Sequence, residues 1–244
     1  MELIITRSFS ESSRYVADQF RLTVEQKPDS LLGCATGGST EELYRYMIED
    51  YKNARMDFSR TRTVNLDEYI GLPRSHRQSF GCFMDTHFFR HVNLQPENIF
   101  LLDGAGEVEE ELLRFNRFIN HNSIDILMVG IGTNGHIGFN EPDRVFPASA
   151  RAVELEEDTI KANARFFDSI DEVPRRAITM GMLGIVKARK VVLIATGASK
   201  AEAIGKLLRE PVADPMLPCS ILHLCADATV VIDEELHAMA CGGA

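Results

Sequence analysis

The sequence predicts an α/β fold, a doubly wound, mainly parallel sheet with helices on both faces. Three observations carry that reading. Short apolar runs alternate with segments of helical periodicity, the pattern of successive βα units. Two of the runs, residues 124–129 and 190–195, are too nearly continuous in apolar residues for a sheet with one wet face. Four of the predicted strands end in polar loops, and the carboxyl ends of such strands are where an open parallel sheet meets a ligand.

The bounds agree with one such domain spanning residues 1–244. At 45% hydrophobic and 25% charged residues, the composition is that of a globular protein with a core of useful size. A net charge of -10 argues against a nucleic-acid surface. An anionic small ligand would instead be met by a few local cations. The apolar run within residues 1–10 is too short for a signal peptide, and no stretch approaches the ~18 to 20 apolar residues of a membrane span. The five cysteines form no C-x-x-C pair and read as free thiols. A cytoplasmic chain, with no membrane or nucleic-acid partner, is expected.

Taken in order, residues 11–22 carry apolar side chains three to four apart and read as an amphipathic helix. Residues 31–35 read as a strand. The turn Thr36-Gly37-Gly38-Ser39-Thr40 then opens a helix, with Ser39 and Glu42 spaced as a capping box. Residues 62–66 form the next strand, followed by Asp67-Glu68-Tyr69 and a Gly71-Leu72-Pro73 loop. Helical spacing recurs over 78–91 and 107–119, and 124–129 is a buried strand. Beyond Pro142 the pattern weakens, with a strand near 152–155 and a helix over 159–167. A helix over 174–186, a strand over 190–195 and a helix over 201–209 follow. Residues 219–224 and 229–232 are the last predicted strands.

The stretch from Val129 to Pro142 is the chemical centre. Its four glycines, Gly130, Gly132, Gly135 and Gly138, let the backbone turn tightly around a base (His136), a carboxylate (Glu141) and two amides (Asn134, Asn140). His136 titrates in the range useful for proton transfer, with Asn134 and Glu141 placed to orient it. Asp67 closes an apolar strand, where a carboxylate can serve as a general base; read alone, a helix cap or loop salt bridge is the better explanation. Glu68, its neighbour, should point elsewhere and be structural. The turn at residues 36–40 presents helix N-terminal amides suited to a phosphate, although a plain strand-to-helix turn looks the same. Glu41 and Glu42 behind it would oppose an anion, so Arg165 and Lys200 are the candidate cations. His87 and His91 share a spacing but lack a metal-site context, and no metal or cofactor is expected. The aromatics of 80–89 read as core.

Together, Ala35-Thr36-Gly37-Gly38, Val64-Asn65-Leu66-Asp67-Glu68-Tyr69, the Gly-His-Ile-Gly-Phe-Asn-Glu-Pro run of 135–142 and Ala162-Asn163-Ala164-Arg165-Phe166-Phe167 resemble the glucosamine-6-phosphate deaminases. The likeness runs to about Ile232 in matching order. It implies a Rossmann-like fold and a hydrolase-type deaminating ketol isomerase that turns glucosamine 6-phosphate and water into fructose 6-phosphate and ammonia. The resemblance assigns catalysis to Asp67, Asn134, His136 and Glu141, and phosphate binding to Gly37, Gly38, Ser39, Thr40, Arg165 and Lys200. Residues 138–142 side with the deaminases rather than with the related 6-phosphogluconolactonases.

Three departures stand out. Asn134 replaces the aspartate of many members, Ser39-Thr40 replaces the common Thr-Pro, and there is no counterpart of the allosteric branch's C-terminal extension. Arg151 matches an activator-site residue of that branch, but Arg144 and Val153 do not. No activation by N-acetylglucosamine 6-phosphate is therefore expected, in a monomer or small homo-oligomer. A galactosamine 6-phosphate deaminase, a lactonase-like enzyme or a non-catalytic sugar-phosphate sensor are the alternatives; the last needs a DNA-binding module for which the sequence before Leu31 leaves no room.

Overall fold

The computed structural model describes residues 1–164 and 167–242. Its strands are β1 (Glu2–Thr6), β2 (Leu31–Cys34), β3 (Arg62–Asn65), β4 (Asp67–Tyr69), β5 (Ile99–Phe100), β6 (Ile126–Val129), β7 (Arg151–Glu154), β8 (Arg176–Thr179), β9 (Val191–Ala195) and β10 (Ala228–Asp233). Its α-helices are α1 (Phe9–Gln26), α2 (Glu41–Lys52), α3 (Phe80–His87), α4 (Val108–His121), α5 (Glu157–Asn163), α6 (Met182–Val186), α7 (Ala201–Arg209) and α8 (Glu234–Cys241). None of the described helices is long and apolar enough to cross a membrane.

Seven strands form a wholly parallel sheet in the order β1-β10-β9-β6-β2-β3-β5. The chain winds outward from β2 through β3 to β5, then returns to place β6 on the other side of β2. Strand order thus reverses between β2 and β6, and a crevice opens there beyond their carboxyl ends. The central strands are apolar on both faces because both are covered. Ile126 and Met128 join Phe20 of α1 and Met47 of α2 in one core, while Leu127 and Val129 join Phe115 of α4 and Ile204 of α7 in the other. Gly33 lets β2 and β6 pack closely: a Cβ on it would lie 2.3 Å from Leu127 Cδ1 and 3.1 Å from Leu127 Cα, so the neighbouring strand's side chain would have to shift.

A second, antiparallel sheet of order β4-β8-β7 stands beside the first. It corrects two expectations. Asp67 opens a strand of its own rather than closing the preceding one. Residues 174–186 are not one helix: Ala177 and Ile178 are buried in β8, which is paired on both edges, and only Met182–Val186 is helical. A short apolar run of helix-compatible residues does not reveal by periodicity which it will become.

Residues 219–224 also differ, forming a 3-10 helix (Pro218–Leu224) started by the ring-fixed φ of Pro218 instead of a strand. The capping box at Ser39 does not form. Thr40 is the N-cap, its hydroxyl donates to the Gly37 carbonyl, and Glu42 accepts from Ser10 and Arg45. The N-terminal run is edge strand β1, and α8 had no sequence counterpart.

Candidate active site

A cleft of about 1060 Å³ lies over the β2–β6 crossover point, lined among others by Thr36, Gly37, Ser39, Asp67, Asn134, His136, Glu141 and Lys200. Three of the four polar segments singled out in the sequence, those after β2, β6 and β9, reach it because parallel strands deliver their following loops to one edge; the fourth, residues 67–69, is strand β4 and reaches it from the second sheet.

The first wall is the turn after β2. Gly37 has φ +101°, a conformation that costs a side chain dearly, and its carbonyl accepts from both the amide and hydroxyl of Thr40. This folds the chain directly into α2 and leaves that helix's first amides without intrahelical partners. Thr36, Gly37 and Ser39 face the cleft; Gly38 and Thr40 do not line it, and Thr40 is buried. The second wall is the turn after β9, where Gly197 at φ +87° leads into Lys200 and α7. Its Thr196 hydroxyl donates to Asp233, which also caps α8 through the Leu236 amide. Arg165 lies outside the described residues.

The loop after β6 holds His136. Gly132 N donates to the His136 carbonyl at 2.9 Å, and the imidazole lies so close over Gly132 that a Cβ there would be 2.3 Å from the ring. The ring's Nδ1 sits 3.0 Å from Glu141 Oε1 and 3.1 Å from Oε2. With a carboxylate on Nδ1, the proton stays on that nitrogen and Nε2 is left as the working atom. Asn134 bonds to the carboxylate and the backbone beside the ring: its Oδ1 accepts from the His136 backbone amide, and its Nδ2 donates to Glu141 at 2.7 Å. Thr159 donates to Glu141 as well. Burial works to raise the Glu141 carboxyl, but the bonds from His136, Asn134 and Thr159 outweigh it and hold the group below the ordinary carboxylate range.

Asp67 approaches this loop from the second sheet. A Cβ on Gly138, two residues from His136, would stand 3.1 Å from Asp67 Oδ2 and 2.9 Å from Thr179 Oγ1. Two residues span at most ~7 Å of chain, so the carboxylate and the imidazole share one sugar-sized space. Asp67 is pushed up to about 7, first by burial and second by the charge of Glu68. That value suits a group that both takes and returns a proton.

The sequence reading missed the frame behind these groups. Asp67, Thr179 and Arg151 are register partners across β4, β8 and β7. Thr179 Oγ1 accepts the Phe139 amide, Asn140 donates to the Ile137 and Met180 carbonyls, and Arg151 donates to Asn140 at 2.7 Å. No periodicity could signal Thr179, since its strand read as a helix. The aromatics of α3 also divide: Phe88 and Phe89, just after it, are core, while Phe80 and Phe83 line the cleft. Among the described residues no three His, Cys, Asp or Glu side chains gather as a metal would need.

Comparison with known proteins places this geometry. A sequence model of the glucosamine-6-phosphate isomerases/6-phosphogluconolactonase family matches residues 9–231. A glucosamine-6-phosphate deaminase of Clostridium perfringens is 40% identical over 96% of this chain and 98% of its own. One from Lachnoclostridium phytofermentans is 46% identical over 95% and 98%. A solved monomeric glucosamine-6-phosphate deaminase superposes with TM-score 0.94 at 40% identity, covering 98% of this chain and 100% of that one. A 6-phosphogluconolactonase from Leishmania guyanensis, at TM-score 0.76 and 17% identity over 99% and 98%, shares the fold.

Proposed function

This chain belongs to the glucosamine-6-phosphate isomerase and 6-phosphogluconolactonase family, and we propose that it is a glucosamine-6-phosphate deaminase, yielding fructose 6-phosphate and ammonia. The observation that carries the reading is the meeting of Asp67 with the His136–Glu141 pair in a cleft whose other walls are two glycine turns at helix starts.

In this reading the phosphate sits against the amides of Gly37 to Ser39 at the start of α2, with Lys200 supplying positive charge. Gly38 and Thr40 contribute backbone and turn geometry, and Arg165 enters by family resemblance. His136 Nε2 accepts the anomeric hydroxyl proton and returns it to the ring oxygen, breaking the C1–O5 bond and opening the sugar. The Glu141 carboxylate stabilises the imidazolium formed in between. Asp67 then removes the C2 proton, giving an enolamine, and delivers a proton to C1, leaving a C2 imine. Water adds to the imine and ammonia departs, so one water enters for each ammonia lost. A placed acid–base group contributes about 10²- to 10⁴-fold, and anchoring by the phosphate supplies much of the remainder. Asn134 would act by holding Glu141, so its neutral amide need not carry the imidazolium's counter-charge. The likeness to a monomeric deaminase supports a monomer.

The test is to supply pure protein with glucosamine 6-phosphate and measure ammonia and fructose 6-phosphate together. Equal yields are expected. Ammonia without the ketose, or neither product, would end the proposal. Running galactosamine 6-phosphate alongside decides the epimer.

A further inference from the structure

We infer that Glu68 is a positioning residue for Asp67: ionised and held by three backbone amides, it keeps negative charge one residue from the working carboxylate and ties their strand to the helix walling the cleft. This rests on the proposed role of Asp67 as the base.

Neighbours on a strand point to opposite faces. Asp67 lines the cleft, whereas Glu68 is buried against the start of α3. There Glu68 Oε1 accepts the amides of Tyr69 at 2.9 Å and Phe80 at 3.0 Å, and Oε2 accepts that of Gly81 at 3.0 Å. Phe80 and Gly81 are the first residues of α3, and the next amide, of Cys82, is taken by the Ser79 hydroxyl. The carboxylate thus completes the capping of a helix whose Phe80, Phe83 and His87 form one wall of the cleft. The positive end of the helix also favours its charge.

Among the described residues no hydrogen bond reaches the Asp67 carboxylate. Two adjacent carboxyl groups so differently provided cannot ionise together on equal terms. Burial raises the Glu68 carboxyl above its ordinary value, but its three amide donors work against that rise, whereas nothing offsets the burial of Asp67; Glu68 therefore takes the charge first and Asp67 keeps a proton available near neutrality. The surrounding charges do not reverse this order. Asp103 lies near Glu68 and Tyr69 follows on the same strand. His136 and Glu141 bond to one another across the cleft. Ahead of α3, Arg77 pairs with Asp168 while Arg74 packs its stem on Gly81, and on β8 Arg176 pairs with Glu154. Among the described residues none of these cations forms an ion pair with either carboxylate.

The experiment measures kcat/KM against pH for the wild type, Glu68→Gln, Glu68→Asp and Asp67→Asn. Glu68→Gln removes the charge and keeps the size; Glu68→Asp keeps the charge and loosens the amide contacts. The expected result is an acid limb moved down by about one pH unit in Glu68→Gln and unmoved in Glu68→Asp. Well below the wild-type limb, Glu68→Gln would then retain about tenfold more of its own plateau rate than the wild type does. An unmoved limb in Glu68→Gln, or equal movement in both variants, overturns the inference. Should Glu68→Gln not fold, carbon-13 titration of labelled carboxyls in the wild type decides, with Asp67→Asn assigning the signal: Glu68 titrates below Asp67, and the reverse order overturns the inference. Full turnover by Asp67→Asn would instead sink the base assignment itself.

Discussion

Replacing Asp67 by Asn should abolish turnover and at the same time stabilise the protein above neutral pH, by an amount the structure bounds. The carboxyl is pushed up from 3.8 to about 7 in the folded chain. Between those values the folded state holds the proton more tightly than the unfolded chain does. Unfolding free energy therefore falls as pH rises through this window and levels off above it. A span of about three units corresponds to at most about 4 kcal/mol, and partial contact with solvent reduces this to ~1–2 kcal/mol. An asparagine carries no proton to lose, so the variant lacks this slope. The assay is urea unfolding of both proteins at pH 4 and pH 8, combined as the difference of differences. Packing changes common to both pH values cancel in that quantity. The variant should gain ~1–2 kcal/mol on the wild type between the two, while exchange of the substrate's C2 proton disappears. Parallel stability curves would refute the claim that Asp67 is held uncomfortably charged in the fold, and preserved C2 exchange would refute its use as the base.

Two further outcomes follow from the site. Gly132→Ala places a Cβ 2.3 Å from the imidazole, so the His136 ring must shift by ~1 Å and kcat should drop on the order of 10²-fold; unchanged kcat would mean that the ring position is not catalytic. Lys200→Ala should raise KM for the phosphorylated sugar ~10- to 100-fold, as expected for losing a charged hydrogen bond, and leave an unphosphorylated analogue unaffected. Equal effects on both substrates would remove Lys200 from the phosphate site.

Much of the parallel sheet could be read from the chain alone because its strands are covered on both faces and declare themselves by composition. Val191–Ala195 and Ile126–Val129 are buried at every position, as their near-continuous apolar composition requires. The glycine turns were legible for a related reason: at Gly37 and Gly197 the backbone adopts positive φ where the chain must turn sharply into a helix. The second sheet was not legible. Its three strands are short, and Arg176–Thr179 is compatible with a helix until two partners more than twenty residues away pair with it. Everything that depends on that pairing was therefore lost too: the placement of Thr179 behind Gly138, and the Arg151 contact to Asn140. The role of Asn134 was only half visible, because spacing put it near His136 without telling ring from backbone.

The order of strands has a consequence for how the molecule comes into being. Strand β1 pairs only with β10 among the described residues, Glu2 opposite Thr229 and Thr6 opposite Asp233. More than two hundred residues separate the two strands, so β1 must wait for distant chain before that edge is closed, a contact of high sequence separation and slow to form. Until then α1 has no finished floor on that side, and a nascent chain stalled short of β10 carries an open strand that a chaperone or a second chain can take.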